Sequence, residues 1–567
     1  MLKAYILLKK EHKILLGIIV TSLIILTFVE FLNFYFLQKL ISFFSFTQTP
    51  VDSAFYRIFP ESIYISIRYL IFFFFFFFIL RCFLILFVGL LKSKICKNIN
   101  DYLSNEIYFN YLIKDYYFFV KNSSSDLTSN IILEVEKFAY RIIDAIIIIL
   151  TETFIIIGIT LFLLLNYFNV SLILITLIII IFLIFNIFYK NIFKKIGEIK
   201  IIHDSKKVQD LQRSFHVIQN IKLDGLEDFF LKKFKKSNDA ASRSYFFLQF
   251  FNEIPKPIIE LSLIIIMSII VIVSYFFFNS GRTEILVMVS LFGVSMFRIL
   301  PSFNRLLIAV NTLRYYFPTV DRIFVQVFDK ENKNLTQISR GDFTFKDSIA
   351  FSNVNFSYPN SSKMILANVN IEIKKNEIIG VVGDSGSGKS TFLNLLLYLL
   401  KPNSGQILVD NKPIDNIFKS FRKKVGYVPQ KIYLTNQSLI KNVLLGKDIK
   451  DYDYSLFWDC IDRVNLRKIV DNLPQKENTQ LGEKGAALSG GQQQRIGLAR
   501  ALYKKSEILI LDEATNSLDK FSEDEILDTI YKLRDNLTII IVSHNKDVLS
   551  RCDRLIKIDN SKVFQLN

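Results

Sequence analysis

Cysteine is scarce in this chain, which has four among 567 residues. Four cysteines are too few for a disulfide framework, so the sequence excludes the class of small secreted domains held together by bridges. We expect all four to be reduced packing residues. A cleavable signal peptide is also missing, because the first apolar stretch is too long and has no small-residue cleavage site.

Acidic residues are in short supply: 52 Asp and Glu stand against 69 Lys and Arg, which gives a formal net charge of +17. Such an excess would suit a nucleic-acid partner, but basic residues also flank membrane spans on the cytoplasmic side. Hydrophobic residues make up 51% of the chain and come in long runs, which is too apolar for an ordinary soluble protein. We therefore expect a membrane protein that binds no nucleic acid.

Six stretches are each long enough to cross a bilayer as a helix, which takes about 20 apolar residues. Each must be helical, because lipid offers no hydrogen-bond partners to a free backbone. The predicted spans are residues 14–37, 63–91, 142–165, 168–189, 257–279 and 284–310.

Charge sets the orientation of these predicted spans. Residues 190–256 contain 14 Lys or Arg against 8 Asp or Glu, whereas the loop 38–62 contains two of each sign. Positive residues favour the cytoplasmic side, so we expect both chain ends in the cytoplasm, together with the polar insertions 92–137 and 190–256.

The two polar insertions have a helical pattern, so we expect spans two to five to continue well beyond the membrane. Each insertion would turn round in a short helix, near residues 116–119 and 221–227. After about residue 335 the composition changes to short β-type runs alternating with helical ones, which predicts a soluble α/β domain. The predicted parts are a transmembrane domain 1–330, a linker 331–342 and a soluble domain 343–567.

A phosphate-binding loop is predicted after the strand IIGVV (residues 378–382), where GDSGSGKST leads into an apolar helical pattern. This is G-x-x-x-x-G-K-S/T in the strand–loop–helix setting that it requires. Glycines let backbone N–H groups approach phosphate, and the helix N-terminus adds its positive dipole end. Lys389 would reach the β- and γ-phosphates of ATP, and the Ser390 hydroxyl would bind Mg²⁺. The loop residues are Gly383, Asp384, Ser385, Gly386, Ser387, Gly388, Lys389, Ser390 and Thr391.

A second apolar strand, in ILILDEATNSLD, ends in two carboxylates. Asp512 would hold Mg²⁺ through a water molecule. Glu513 would polarise a water for in-line attack on the γ-phosphate. Two solvated acids at a strand end are the simpler interpretation, but the phosphate loop earlier in the chain argues against it.

The stretch LSGGQQQR (residues 488–495) lies between these two motifs. Here the chain resembles the ATP-binding cassette (ABC) family, whose signature is LSGGQ. The resemblance extends over the whole chain and implies a six-helix α transmembrane domain of ABC exporter type followed by an α/β P-loop ATPase domain. It also implies that Ser489, Gly490, Gly491 and Gln492 serve the nucleotide held by a second subunit, with Ser489 and Gly491 on its γ-phosphate.

Other elements of the family occur in the expected order. Tyr358 in FSYP would stack on adenine, Gln430 in YVPQ would sense Mg²⁺, and His544 in IVSHN would clamp the γ-phosphate. The loop Ser517–Asp519 would contact the partner domain. A complete site needs faces from two ATPase domains and this chain has one, so the resemblance implies a dimer. Because Glu513, His544 and the signature are intact, a homodimer is favoured, with a heterodimer as the alternative.

Two further stretches resemble elements of exporters. TQLGEKG (residues 479–485) precedes the signature, and IKLDGLE (residues 221–227) resembles a coupling helix that docks into the opposite ATPase domain. Glu483 and Lys484 are the candidates for that cross-domain contact, and solvated surface charges are the alternative for both.

Arginines occur inside the predicted spans, at Arg81 in span two and at Arg298 and Arg305 in span six, while Lys256 precedes span five. An intramembrane Arg usually faces a cavity or a charged partner, and guanidinium binds phosphate oxygens in bidentate fashion. The four cations, doubled by symmetry, suit a cargo with a diphosphate. Snorkelling to the interface is one alternative. Pairing with an acid is another, the candidates being Glu260, Asp144 and Glu152.

FRILPSFNRL in span six resembles the matching stretch of bacterial lipid-linked oligosaccharide flippases of the PglK type, including both arginines. The resemblance implies that Arg81, Arg298 and Arg305 line a cavity for the pyrophosphate–oligosaccharide head of an undecaprenyl lipid, with Lys256 as a less similar contact. In those proteins the first external loop forms a helix that meets the polyprenyl tail. The aromatic loop 38–62 matches such a helix loosely, and a merely interfacial loop is the alternative.

The predicted function is ATP-driven flipping of a polyprenyl-diphosphate-linked oligosaccharide from the cytoplasmic to the outer face of the bacterial inner membrane. The alternative is a lipid A-type or multidrug ABC exporter, although a drug exporter should have an apolar cavity without an arginine cluster. The six predicted spans argue against a soluble ABC ATPase of DNA repair or translation. Because nothing precedes the first predicted span, we do not expect a peptide exporter with a cysteine-protease domain.

Overall fold

The computed structural model describes residues 2–44, 67–277, 282–328, 343–359, 361, 363–447, 452–482, 488–514 and 520–566. The chain divides into two compact units. The first contains Met1–Lys114 and Lys121–Glu331, and the second contains Asp115–Val120 and Asn332–Asn567. The division at residue 331 lies beside the predicted linker 331–342, which is itself outside the described residues.

The described residues before position 330 form helices and turns only. Helix is the expected conformation here, since a segment in lipid must satisfy its backbone hydrogen bonds internally. The helices are α1 Leu2–Ile6, α2 Lys10–Phe44, α3 Ile67–Leu112, α4 Tyr116–Lys121, α5 Ser124–Asn166, α6 Phe168–His216, α7 Ile218–Asp224, α8 Glu227–Glu253, α9 Pro255–Phe277 and α10 Arg282–Phe328.

The six predicted spans fall largely on α2, α3, α5, α6, α9 and α10, which are between 23 and 49 residues long. In the described part of the chain, four stretches are long and apolar enough to cross a membrane. These are Lys10–Ile41, Ile67–Leu112, Ser124–Asn166 and Val289–Phe328. The count of six spans stays a prediction.

The long helices continue past the predicted spans, as the sequence led us to expect. Helix α3 runs to Leu112 and α6 to His216, more than 20 residues beyond the spans predicted to end at 91 and 189. Short helices lie at both predicted turns, as α4 and α7. Helix α7 ends at Gly225, whose φ of +63° is the left-handed conformation that glycine adopts at a helix C-terminus.

A buried charge network ties three of these helices together. The Lys137 ammonium in α5 donates to Glu134 and to Asp204 of α6, at 2.9 Å each. The Thr319 hydroxyl of α10 donates to the other oxygen of Glu134 at 2.8 Å, and Lys200 lies 3.1 Å from Asp204. Two π-helical turns, Asn130–Glu134 and Phe138–Ile143, flank the centre of this network in α5. Such turns are uncommon and often mark functional positions.

The second unit contains two sheets. One is antiparallel in the order β2-β1-β4-β5, and the other has the order β10-β9-β3-β8-β7-β6 and is parallel apart from β10. The strands are β1 Ser348–Phe356, β2 Leu366–Lys374, β3 Ile378–Val382, β4 Ser404–Val409, β5 Lys412–Pro413, β6 Val425–Val428, β7 Ile508–Asp512, β8 Thr538–Val542, β9 Arg554–Asp559 and β10 Lys562–Leu566.

Helices follow or connect these strands, as expected of an α/β domain. They are α11 Lys389–Leu396, α12 Phe418–Lys424, α13 Leu439–Leu444, α14 Tyr454–Arg463, α15 Arg467–Asp471, α16 Gly490–Tyr503, α17 Lys520–Lys532 and α18 Lys546–Leu549. Strands β3, β7 and β8 are almost wholly buried. Continuous apolar runs such as IIGVV and TIIIV are typical of parallel strands covered on both faces.

Strand register places the chemistry at one edge of the parallel sheet. Val381 of β3 pairs with Val542 of β8, and Asp512 of β7 pairs with the same residue. The carboxyl ends of these three strands therefore lie side by side, which is where open α/β sheets bind ligands.

All four cysteines are free, as predicted. Cys96 and Cys460 are buried and Cys552 is partly buried, which fits packing residues. Cys82 is exposed, so the prediction of a packing role was wrong for this residue. It lies next to Arg81 in an apolar helix whose outer face is largely uncovered in the single chain.

Candidate functional site

The predicted phosphate loop connects β3 to the first turn of α11. The Lys389 ammonium turns back into the loop and donates to the carbonyl oxygens of Gly383, at 2.6 Å, and Asp384, at 3.1 Å. The Ser387 backbone N–H donates to the same Asp384 oxygen at 3.1 Å. The loop is thus wrapped around a cation that is 8% exposed, in the geometry that a phosphate-binding loop requires.

Two features of the loop fit a bound phosphate. A Cβ at Gly383 would come within 2.4 Å of the Ile558 carbonyl oxygen and 2.6 Å of the Ser387 hydroxyl oxygen, so this position has no room for a side chain. The Ser387 hydroxyl is buried and has no hydrogen-bond partner among the described residues. Since buried polar groups in native proteins are normally paired, an orphaned hydroxyl in this loop indicates a ligand oxygen.

The variant Gly383→Ala is expected to weaken ATP binding by more than about tenfold, or about 1.4 kcal/mol, because the loop must shift away from Ile558. Gly386→Ala is the matched control. Its φ of +80° also disfavours alanine, but nothing lies within 4 Å of the added Cβ. Binding of a fluorescent ATP analogue to the full-length protein measures both, and equal affinities would show that the close approach to Ile558 is unimportant.

Four side chains that the sequence assigned to ATP chemistry form one chain of contacts. Gln430 donates to one oxygen of Glu513 at 2.6 Å. The other Glu513 oxygen lies 3.4 Å from His544 Nε2, which is in turn 3.2 Å from the Lys389 ammonium. Residues 155 positions apart are thereby brought into hydrogen-bonding contact.

The Glu513 backbone is held in an uncommon conformation. Its φ is +50°, a region that non-glycine residues seldom adopt, and its N–H donates to the Val542 carbonyl at 3.0 Å. Strain of this kind costs about 1–3 kcal/mol and is found mainly at functional sites. Here it turns the carboxylate out of the end of β7 towards Gln430 and His544.

Asp512, the preceding residue, accepts a hydrogen bond from the Tyr427 hydroxyl at 2.9 Å. Burial raises the pKa of the Asp512 carboxyl, partly offset by this bond and by Lys389, while Glu513 raises it further. Burial and the neighbouring Asp512 also raise the pKa of Tyr427. The sequence analysis assigned no role to Tyr427, although it stands in the YVPQ motif.

The predicted Mg²⁺ ligands Ser390, Gln430 and Asp512 offer hydroxyl, amide and carboxylate oxygens. Ser390 is exposed at the start of α11. No group of three or more His, Cys, Asp or Glu that could hold a metal occurs in the described part of the chain. This donor set, with its one carboxylate, fits Mg²⁺, which is usually bound by one or two carboxylates together with water and substrate phosphates.

Tyr358 lies beside the phosphate loop, where the adenine contact was predicted. Its hydroxyl is 3.2 Å from the Thr391 hydroxyl, and its ring packs edge-on against Phe356 with centroids 5.1 Å apart. Tyr117, from the stretch Asp115–Val120 of this unit, stacks on it at 6.3 Å. Sequence reasoning missed Tyr117, because nothing local distinguishes it from its aromatic neighbours.

The signature motif forms a well-capped helix N-terminus. The Ser489 hydroxyl accepts from the Gln492 N–H at 3.3 Å, while the Gln492 side chain accepts from the Ser489 N–H at 3.1 Å. This reciprocal capping orders the start of α16, where Ser489 and Gly490 are exposed and Gly491 is half-buried. A helix N-terminus with small residues suits an anion. Glu483, Lys484 and Ser517–Asp519 lie outside the described residues.

Two of the predicted cargo arginines bind one acid that was not among the predicted partners. Arg81 of α3 and Arg298 of α10 each donate to a different oxygen of Glu30 in α2. The Glu30 side chain is fully buried, and those of Arg81 and Arg298 are 20% and 19% exposed. Glu30 stands alone in the apolar run LTFVEFLNF, a signal of function that was available in the sequence.

Arg305 has a separate partner. It donates from Nε and one terminal nitrogen to the two oxygens of Glu152 in α5, at 2.5 and 3.1 Å, and donates to Ser302 at 3.3 Å. Of the three acids considered as partners, Glu152 is therefore the one used by Arg305. Lys256 is exposed in the first turn of α9. Residues 45–62, most of the predicted external loop, lie outside the described residues.

Comparison with known families agrees with this geometry. Residues 16–300 match the ABC transporter transmembrane region, and residues 366–516 match the ABC transporter family. The chain belongs to the ABC transporter family.

This ABC transporter is similar to several curated proteins. It is 33% identical over 229 residues to an ATP-dependent lipid A-core flippase of Ralstonia nicotianae, covering 40% of this chain and 38% of that protein. It is 35% identical over 246 residues to the alpha-hemolysin translocation ATP-binding protein HlyB of Escherichia coli O157:H7, covering 43% and 34%. The matched part thus spans under two fifths of these relatives' length.

A solved structure of a bacterial Atm1-family ABC exporter with ATP bound superposes on the ABC transporter with a TM-score of 0.80 at 18% identity. The superposition covers 96% of this chain and 95% of that one. The predicted fold class, a helical exporter-type membrane domain followed by an α/β P-loop domain, is confirmed.

Proposed function

We propose that this ABC transporter hydrolyses ATP and uses the energy to export an amphiphile with an anionic head. The contact chain from Gln430 through Glu513 and His544 to Lys389 supports the first half of the proposal. The shared arginine site at Glu30 supports the second half.

The described residues have distinct roles in hydrolysis. Glu513, oriented by Gln430 and His544, accepts a proton from the attacking water. Lys389 exchanges its hydrogen bonds to the loop carbonyls for bonds to the β- and γ-phosphates. Mg²⁺, held by Ser390, Gln430 and Asp512, would neutralise phosphate charge.

A homodimer completes the site in this proposal. The exposed start of α16, with Ser489, Gly490, Gly491 and Gln492, would meet the γ-phosphate on the phosphate loop of a second copy. Each site would then combine residues of two chains, and both sites would be competent. We place both chain ends in the cytoplasm and the protein in the bacterial inner membrane, in line with the charge bias of the loops.

The proposed cargo is a polyprenyl-diphosphate-linked oligosaccharide, flipped from the cytoplasmic to the outer face. The single observation that carries this choice is the convergence of Arg81 and Arg298 on one carboxylate, which among the described residues leaves one positive charge in excess within an apolar helix bundle. Phosphate oxygens match guanidinium geometry, and an excess cation at this depth calls for an anion. Arg305 and Lys256 would add contacts to the head.

A lipid A-type cargo is the second candidate. Two of the similar proteins, from Ralstonia nicotianae and Cupriavidus pinatubonensis, are named ATP-dependent lipid A-core flippases. Cations would also suit that lipid, so the arginines separate the two cargoes poorly.

The test is ATP-dependent translocation of a polyprenyl-diphosphate oligosaccharide in proteoliposomes, with lipid A in parallel. Arg298→Ala/Arg305→Ala should hydrolyse ATP yet lose flipping, because losing Arg298 removes the excess positive charge at Glu30 and losing Arg305 removes a further proposed contact to the head. Arg243→Ala is the control, since its guanidinium is 74% exposed and pairs with Asp239 at the surface. Flipping by the double variant, or no flipping of this cargo by the wild type, would refute the assignment.

A further inference from the structure

The carboxylate of Glu30 serves two guanidinium groups at once. Arg81 and Arg298 come from different helices and bind its two oxygens separately. Both guanidinium groups lie against the Phe78 ring. The Cζ atoms of Arg81 and Arg298 are 5.7 and 5.8 Å from the ring centroid. Arg298 also lies 5.7 Å from the centroid of Phe34. The rings of Phe34 and Phe78 pack against the two guanidinium groups and keep them beside the carboxylate of Glu30.

The ion pair of Arg305 and Glu152 is a site in the same protein where positive and negative charge are equal. Within the part of the chain that the structure describes, Glu152 binds one guanidinium, that of Arg305, with two hydrogen bonds, so the charges cancel. At Glu30 one negative charge faces two positive ones. A cation left without its own counter-ion in an apolar bundle is costly, and it attracts a further anion. The arginine side chains retain 20% and 19% exposure, so such an anion can reach them.

We infer that Glu30 is the built-in counter-ion of the cargo site. Its carboxylate occupies the place between Arg81 and Arg298 that the cargo diphosphate takes, so the two anions compete for the same donors. This competition keeps the affinity low enough for release and favours heads with more than one negative charge. The inference rests on the proposed function, since it assumes an anionic cargo head.

Binding to full-length protein in nanodiscs tests the inference with three probes that share one tail. The probes are a short-chain isoprenyl diphosphate, the monophosphate and the neutral alcohol. Glu30→Gln should bind the diphosphate at least about tenfold tighter, which is about 1.4 kcal/mol. The affinity for the monophosphate should increase less and that for the alcohol should not change, because the substitution removes one negative charge from the site. In flipping assays the same variant should show both a lower KM and a lower kcat.

A merely structural role predicts another result. If Glu30 only clamps the helices, Glu30→Gln will change the affinity for all three probes equally, or weaken it, and the inference is overturned. Glu30→Asp keeps the charge and should restore the wild-type ranking of the probes. Glu260→Gln, an exposed acid of α9, is the control and should leave the ranking unchanged.

Arg81→Gln keeps the test decisive if Glu30→Gln fails to fold. It leaves a one-to-one pair like that of Arg305 and Glu152, so the preference for diphosphate over monophosphate should disappear. A retained preference overturns the inference. If the wild type flips the glycolipid but no variant changes the order of the three probe affinities, the counter-ion inference is overturned while the proposed function stands. If the wild type does not flip the glycolipid while the probe affinities still increase with the negative charge of the head, the counter-ion role of Glu30 stands and the cargo is another anion.

Discussion

Glu513→Gln is expected to lower the rate of ATP hydrolysis by about 10²- to 10⁴-fold, the range over which general-base catalysis contributes. The glutamine can still accept the bond from Gln430, so the local structure should persist. It cannot take a proton from the attacking water. ATP binding should therefore be unchanged while turnover disappears. The rate of phosphate release measures turnover, and nucleotide binding to the same preparation measures the affinity for ATP.

Glu372→Gln is the matched control for this experiment. Glu372 is an exposed acid on β2, away from the edge of the parallel sheet where the site lies. Its loss should leave turnover within about twofold, as for surface substitutions in general. If Glu513→Gln retains most of the activity, another group is the base, and the contact between Glu513 and His544 has only a structural role.

Lys137→Met is expected to destabilise the protein by about 3–5 kcal/mol, the cost of breaking a buried ion pair by removing one partner. The Lys137 ammonium binds both Glu134 and Asp204, whose side chains are 1% and 11% exposed. Methionine fills a similar volume but leaves two buried acids close together without their shared cation. Thr319 and Lys200 can each compensate one of them only in part.

Thermal unfolding in detergent, followed by helical circular dichroism, measures the effect of Lys137→Met. The midpoint should fall by several degrees relative to the wild type. Lys222→Met is the control, because Lys222 pairs with Glu227 on the surface at 66% and 51% exposure, and such pairs contribute little. Equal midpoints for the two variants would show that the network does not hold α5, α6 and α10 together.

Much of the fold follows from the sequence because local chemistry leaves few alternatives. An apolar run of some 20 residues must be helical in lipid, so α2 and α3 were predictable from composition. GDSGSGKST after a β-type run specifies strand, loop and helix, and the structure has β3, the loop and α11 in that order. The boundary near residue 331 coincides with the change in composition.

The contacts among three candidate ATP-site residues were predictable for a similar reason. Glu513 and His544 follow the buried strands β7 and β8, the phosphate loop that leads to Lys389 follows β3, and these parallel strands end at a common edge. The meeting of Glu513, His544 and Lys389 follows from that rule. The stacking of Tyr117 on Tyr358 does not, because it depends on how a distant segment returns to the sheet.

The charge pairs in the membrane domain were decided only by the tertiary structure. The sequence showed that Arg81, Arg298 and Arg305 stand in apolar helices and need partners. It could not choose among the acids, since pairing over 268 residues depends on which helices pack together and how each is rotated. Packing brought Glu30 between two arginines and Glu152 to the third, and so converted three separate cations into one unbalanced site and one neutral pair.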